Sequence, residues 1–352
     1  MNPPAICVDG CTITPETLPR WQQGRTGIQA DIGRFLEQWW SPAPTMELHT
    51  SGSTGTPTTL HARKSAMEAS ARATCRAFQL QAGHSALLCL PLRYIAGQMM
   101  LVRALVGGLQ LLTAEPSSTP LCGLRQTVDF APLVPMQVAG TLAQPDGAAQ
   151  LSNIRTLLLG GSFVDSTLEA QLQSLPCRVF ASYGMTETLS HIALRAVNTP
   201  QRSEYYTPLP GVQVTLTPAG TLQISVPYLG IDQLVTNDAA EITPDGNFRI
   251  LGRVDAVINS GGIKIQAEDI ERHLQAETGL QLVALPHPHP ALGQCVALLW
   301  EGEPGDEARL RAACATLPRY HQPQHLHRCT LPRTESGKIA RAEAASLLPT
   351  HR

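Results

Sequence analysis

Aromatic residues make up only 5% of the 352 residues, and no apolar run approaches the roughly 18 residues that a membrane span needs. A membrane-spanning helix is therefore excluded, and the 43% hydrophobic content fits an ordinary globular chain with a sizeable core. An excess of one charge sign is also missing: 26 Lys and Arg stand against 28 Asp and Glu, for a net charge of -2. Without a basic face or polybasic run, neither nucleic acid nor an anionic membrane is an expected partner. The nine cysteines (Cys7, Cys11, Cys75, Cys89, Cys122, Cys177, Cys295, Cys314 and Cys329) contain no C-x-x-C pair and no zinc-ligand spacing. Their odd number and wide spread fit idle thiols in a reducing compartment. The N-terminus, Met-Asn-Pro-Pro-Ala-Ile, lacks a basic segment followed by an apolar core, so the expected location is the cytoplasm. His287, His289, His321, His325 and His327 lie among prolines and read as solvated loop histidines rather than metal ligands.

What the chain does have is a dense cluster of hydroxyls and glycines between apolar segments, His-Thr-Ser-Gly-Ser-Thr-Gly-Thr-Pro-Thr-Thr at 49–59. Gly52 and Gly55 let backbone N–H groups turn toward one anion, and Thr50, Ser51, Ser53, Thr54 and Thr56 add hydroxyl donors. No Gly-Lys-Ser/Thr follows the glycines, which excludes the ordinary P-loop.

Helical spacing predicts helices over 28–40, 64–78, the first part of 99–112, and 164–175. Short apolar runs predict buried strands at 84–90, 154–159 and 178–182. The second of these strands stops at Gly160-Gly161-Ser162, and the third at Tyr183-Gly184. Strands alternating with helices argue for a parallel α/β sheet, whose ligands bind beyond the carboxyl ends of the strands. From 208 to 251 the period becomes two, as in an antiparallel β region. The last hundred residues carry their own signals: a strand over 256–265, a helix over 267–276, strands over 281–285 and 295–300, and a helix over 307–315. The expected organisation is a large α/β domain over 1–252, with a β subdomain near 208–251, and a small mobile α+β domain over 253–352.

Four segments then stand in a fixed order: Thr50-Ser-Gly-Ser-Thr-Gly-Thr-Pro57, Ser182-Tyr-Gly-Met-Thr-Glu-Thr188, Gly252-Arg-Val-Asp255 and Pro332-Arg-Thr-Glu-Ser-Gly-Lys-Ile339. Together they resemble the acyl-adenylate-forming superfamily of acyl-CoA synthetases, luciferases and peptide-synthetase adenylation domains. Within it, Thr186 to Arg195 and Leu90 to Gly97 look most like the o-succinylbenzoate-CoA ligases of menaquinone synthesis. Three departures are visible. Thr58 stands where the family usually has a lysine, leaving Arg63 or Lys64 to supply that charge; Arg93-Tyr94 replaces an aromatic-His pair; and only 49 residues precede the loop, so a shortened N-terminal region is expected.

The resemblance implies two half-reactions, in which a carboxylate displaces pyrophosphate from ATP and the thiol of CoA then displaces AMP. It implies that Thr50, Ser51, Gly52, Ser53, Thr54 and Gly55 hold the phosphates, that Thr186 holds the α-phosphate, and that Glu187 holds Mg²⁺. Gly160, Gly161, Ser162, Ser182, Tyr183 and Gly184 would receive the adenine, Asp238 and Arg253 the ribose, and Lys338 would be the catalytic lysine. Asp255 would be the hinge, Ser260, Gly261 and Gly262 the CoA path, and Arg93, Tyr94, Ser190, His191 and Arg195 the acid pocket. The expected partners are thus a carboxylic acid, ATP and CoA, with a homodimer left open. The rival readings are an adenylation domain that loads a carrier protein and a non-catalytic relative that binds an adenylate.

Overall fold

The computed structural model of the chain describes residues 5–49, 59–198, 200, 202–261, 263–334 and 337–348. A hairpin of β1 (Ile6–Val8) and β2 (Cys11–Ile13) leads through α1 (Leu18–Trp21) to α2 (Gly27–Trp40). A second hairpin, β3 (Thr45–His49) and β4 (Thr59–Arg63), pairs His49 with Thr59 and so brings together the two ends of the hydroxyl-rich loop. The loop itself, from Thr50 to Thr58, lies outside the described residues.

Then follow α3 (Lys64–Phe78), β5 (Ser85–Leu88), α4 (Ile95–Gly107), β6 (Gln110–Thr113), β7 (Val128–Leu133), α5 (Pro135–Leu142) and α6 (Gly147–Ser152). The unit closes with β8 (Ile154–Leu159), α7 (Ser166–Leu172), β9 (Arg178–Gly184), β10 (His191–Ala196) and β11 (Thr207–Pro208). These strands form one sheet in the order β11-β10-β9-β8-β7-β5-β6-β1-β2, parallel from β9 to β1 and antiparallel at both edges. The central strands are apolar runs because helices cover both faces; Leu87, Phe130, Leu157 and Val179 are all 2% exposed or less. Each such side chain contributes about 1.5–3 kcal/mol by leaving water.

A four-stranded antiparallel sheet follows, β12 (Gln213–Leu216), β13 (Thr221–Val226), β14 (Ile231–Ile242) and β15 (Phe248–Arg253), in sequence order. A 3₁₀ turn at Val254–Ala256 carries the Asp255 backbone to a separate sheet. That sheet contains β16 (Val257–Ser260), β17 (Ile263–Gln266), β18 (Gln281–His289), β19 (Gly293–Glu301) and β20 (His325–Arg328), with α8 (Ala267–Thr278) and α9 (Asp306–Ala315) packed on one face. On the other face Leu331 and Ala344, the latter in α10 (Arg341–Ala345), pack against Val283, Leu285 and Leu299.

One expected strand is much longer than the sequence suggests. Prolines at 286 and 288 predict a strand end at Leu285, yet β18 runs to His289. Among the described residues it is the edge of its sheet, paired only with β19, and a proline on an edge strand forfeits no ladder bond on its open side. The single strand expected over 256–265 is a hairpin, β16–β17, whose turn contains Gly261 with φ +59°. Residues 191–196, to which no element was assigned, form β10.

Candidate active site

A cavity of about 490 Å³ opens beyond the carboxyl ends of β5, β7, β8 and β9, where a parallel sheet gathers its ligands. Its volume lies in the usual range for small-molecule sites. Of the residues expected to bind ligands, Arg93, Tyr94, Gly160, Gly161, Ser182, Gly184, Thr186, Ser190, His191 and Lys338 line it. Ser162 is exposed just outside, and Ser182 is fixed by donating a hydrogen bond to the Leu159 carbonyl at 2.8 Å.

The turn after β9 is tightly built. The buried Thr188 hydroxyl accepts from the Met185 amide at 2.9 Å and faces the Ser190 carbonyl at 2.8 Å. Gly184 has no room for a side chain, since a Cβ there would sit 2.4 Å from the Ser190 carbonyl oxygen. Leu189, a cavity residue, holds φ +62°, a costly conformation for leucine that the surrounding bonds enforce. The result presents Thr186 to the cavity and leaves Glu187 exposed. The Glu187 carboxylate has no hydrogen bond or ion pair among the described residues, which suits a ligand for a hard cation such as Mg²⁺.

Beside the cavity, Asp238 on β14 is 9% exposed. Tyr183 donates its hydroxyl to Asp238 Oδ2 at 2.5 Å, and Arg253 Nη1 lies 3.4 Å from Oδ1. The Tyr183 ring packs against Tyr206 and Phe248 rather than lining the cavity; burial first, then the Asp238 charge, raises its pKa. Lys338 stands in the cavity mouth, its exposed surface turned to the open cavity. The protein crowded around its ammonium, and then Arg253, lower its pKa, while Asp238 opposes them. The turn that delivers it is closed by Thr334 N–H to the Lys338 carbonyl at 2.7 Å. Gly337, at φ +83°, abuts Met136 of α5, where a Cβ would lie 2.8 Å from the sulfur.

The floor of the cavity contains a residue the sequence reading passed over. Arg103, on α4, is 3% exposed, yet no carboxylate partners it among the described residues. Its guanidinium bonds to Ser190 Oγ and approaches Met100 Sδ at 3.3 Å, while Nε has no partner. Burial lowers its pKa to about 10. The signal was present: a lone arginine inside the apolar helix Ile-Ala-Gly-Gln-Met-Met-Leu-Val-Arg-Ala-Leu-Val-Gly.

His191 is fully enclosed beside it, with Nε2 3.3 Å from Thr74 Oγ1 and Nδ1 3.2 Å from Ser190 Oγ. Burial, then the Arg103 charge, pushes its pKa down to about 3, so it is neutral in the working range. The unfolded chain takes up this proton near pH 6.5 and the folded chain does not, so His191 lowers stability as pH falls from about 6.5 toward about 3. Urea unfolding at pH 7 and pH 4.5 is expected to show a smaller stability difference for His191→Gln than for the wild type; an unchanged difference would contradict the enclosed, neutral imidazole.

Three expectations are corrected. Arg195 does not reach the cavity. It is 6% exposed on β10, with Nη2 3.0 Å from Glu169 Oε2 and Nη1 3.1 Å from the Ser203 carbonyl; Glu169 outweighs the cost of burial and keeps it charged. Arg63 and Lys64 are engaged elsewhere, at the Leu229 carbonyl (2.9 Å) and the Ser41 carbonyl (2.8 Å) respectively. His287 is not a solvated loop residue but 4% exposed on β18. Of the expected CoA path, Ser260 is 1% exposed at the end of β16 and Gly261 is exposed in the hairpin turn, while Gly262 lies outside the described residues.

A parallel sheet whose carboxyl edge carries this turn and receives a lysine from the far end of the chain defines a class, and the chain belongs to the AMP-binding enzyme family, whose pattern matches residues 22–225. It is 36% identical to an acyl-CoA synthetase (AMP-forming)/AMP-acid ligase II-like protein from Dyadobacter fermentans, with a TM-score of 0.64 over 94% of this chain and 97% of that one. It is 28% identical to the 2-succinylbenzoate–CoA ligase of Haemophilus influenzae over 91% of this chain and 74% of that one. With the Lactococcus lactis enzyme of the same name the identity is 30% over 54% of this chain; the aligned region spans about half (47%) of that relative. The o-succinylbenzoate CoA synthetase of Bacillus subtilis, solved with its acyl-adenylate intermediate, shares the fold at a TM-score of 0.74 and 20% identity, over 87% of this chain and 70% of that one. Among the described residues, no helix is long and apolar enough to cross a membrane.

Proposed function

We propose that this chain is an ATP- and Mg²⁺-dependent acid-CoA ligase that works through an acyl-adenylate, and that its acid is o-succinylbenzoate, as in menaquinone synthesis. The observation that carries the choice of acid is Arg103: a cation 3% exposed in a largely apolar cavity, with no carboxylate of its own among the described residues. A buried unpaired charge is costly, and a dicarboxylate aryl acid supplies the missing anion. One carboxylate then rests at Arg103 while the other meets the α-phosphate near Lys338.

In the first half-reaction the free carboxylate oxygen bonds to the α-phosphorus and the bond to pyrophosphate breaks. Lys338 and the Thr186 hydroxyl stabilise the charge that develops on the α-phosphate oxygens. The 50–56 segment, outside the described residues, is assigned the β- and γ-phosphates on its sequence alone. Glu187 would hold Mg²⁺, which neutralises phosphate charge when bound. Asp238 accepts the ribose hydroxyls, and Arg253 steadies the carboxylate.

In the second half-reaction the CoA thiolate attacks the acyl carbon and AMP leaves. The segment beyond Asp255 rotates as a small domain about that residue, withdrawing Lys338 and bringing Ser260, Gly261 and Gly262 to the pantetheine arm. The reading is tested by AMP release from o-succinylbenzoate and ATP with and without free CoA. Release that rises with CoA supports the ligase. Pyrophosphate exchange with no response to CoA would instead indicate a carrier-protein acceptor.

A further inference from the structure

Among the described residues, one group of three side chains outside the active site has the makings of a metal centre: His287, Cys295 and His325, whose ligand atoms all lie within 4.8 Å of one another. Its placement follows from strand register. His287 on β18 sits directly opposite Cys295 on β19, and Ala297, two residues on and so on the same face, sits opposite His325 on β20. Three strands thus contribute one residue each to a single sheet face. His287 and Cys295 are 4% and 1% exposed, His325 is half-buried, and the two imidazole rings are 4.6 Å apart.

We propose that His287, Cys295 and His325 form a zinc-binding site that clips β20 to the β18–β19 hairpin, one ion per chain. Two imidazoles and a thiolate are the donors a borderline d¹⁰ cation prefers, and three protein ligands leave one tetrahedral position for solvent on the half-buried His325 side. Bonds of about 2.0–2.3 Å to zinc require ligand atoms roughly 3.3–3.7 Å apart, so side-chain rotation must close about 1 Å. The His287 ring is oriented for the role. Its Nδ1 lies 3.1 Å from the Pro288 carbonyl, which can only accept, so Nδ1 carries the hydrogen and Nε2 keeps the lone pair. The same sheet face, further along, packs against Leu331 and Ala344, which flank the segment carrying Lys338; the clip therefore stiffens the platform from which that lysine projects.

Burial raises the Cys295 thiol above its ordinary pKa, so zinc uptake at neutral pH releases a proton. The test uses the full chain without an affinity tag, stripped of metal and titrated with Co²⁺ and then Zn²⁺ alone. The expected result is one Co²⁺ per chain with a thiolate-to-cobalt charge-transfer band, which Zn²⁺ abolishes. Cys295→Ser should lose the band and weaken zinc binding by at least about 100-fold while retaining adenylation. Cobalt bound without the thiolate band, or no metal retained, overturns the proposal and leaves a packed histidine pair beside a core cysteine. The wild-type spectrum decides this even if the variant does not fold.

Discussion

Replacing Lys338 by alanine is expected to slow acyl-adenylate formation about 100- to 1000-fold, the usual cost of losing one group aimed at developing phosphate charge. Thioester formation from a supplied acyl-adenylate should proceed near the wild-type rate if, as proposed, that step uses an arrangement in which Lys338 has withdrawn. The two half-reactions are read separately, as ATP–pyrophosphate exchange and as CoA-thioester release. Lys338 lines the cavity mouth near Arg253 and Asp238, on a turn whose Gly337 holds φ +83°, a conformation that favours glycine. Equal losses in both half-reactions would refute a role confined to adenylation. A Lys338→Arg variant refines the outcome, since a planar guanidinium does not replace a compact ammonium in a restricted mouth.

Arg103→Met is expected to lower kcat/KM for o-succinylbenzoate by about 30- to 1000-fold, the range for removing one partner of a buried charge pair. Benzoate-like monocarboxylates, which leave Arg103 unpaired in the wild type, should lose nothing and can gain. Discrimination between the two classes would therefore collapse. The apo protein should become no less stable, since the substitution removes an uncompensated buried cation of similar length. If both classes of acid lose activity in proportion, Arg103 is a packing residue and the choice of substrate fails with it.

Why the sequence led to some of these residues and missed others is a matter of what local patterns encode. The parallel sheet was legible because β5, β8 and β9 are short apolar runs broken by glycines or prolines. Those same breaks placed Gly160, Gly161, Ser182 and Thr186 at the cavity. Arg103 was missed because an apolar helix absorbs a single charge without altering its periodicity; only the fold shows that this charge faces the cavity with no carboxylate beside it among the described residues. Arg195 was misplaced for the complementary reason. It follows the 182–188 motif in sequence, but on β10 its side chain leaves the cavity and meets α7. The His287 site was hidden by Pro286 and Pro288, which suggest a loop and in fact decorate an edge strand.

The decisive measurement is ATP–pyrophosphate exchange by the purified protein across a panel of acids: o-succinylbenzoate, benzoate, succinate and a medium-chain fatty acid. The expected result is exchange driven by o-succinylbenzoate well above the other three, and slowed about 100- to 1000-fold in Lys338→Ala. Exchange driven equally by benzoate or the fatty acid would contradict the assignment of Arg103, and silence with every acid would contradict catalysis itself.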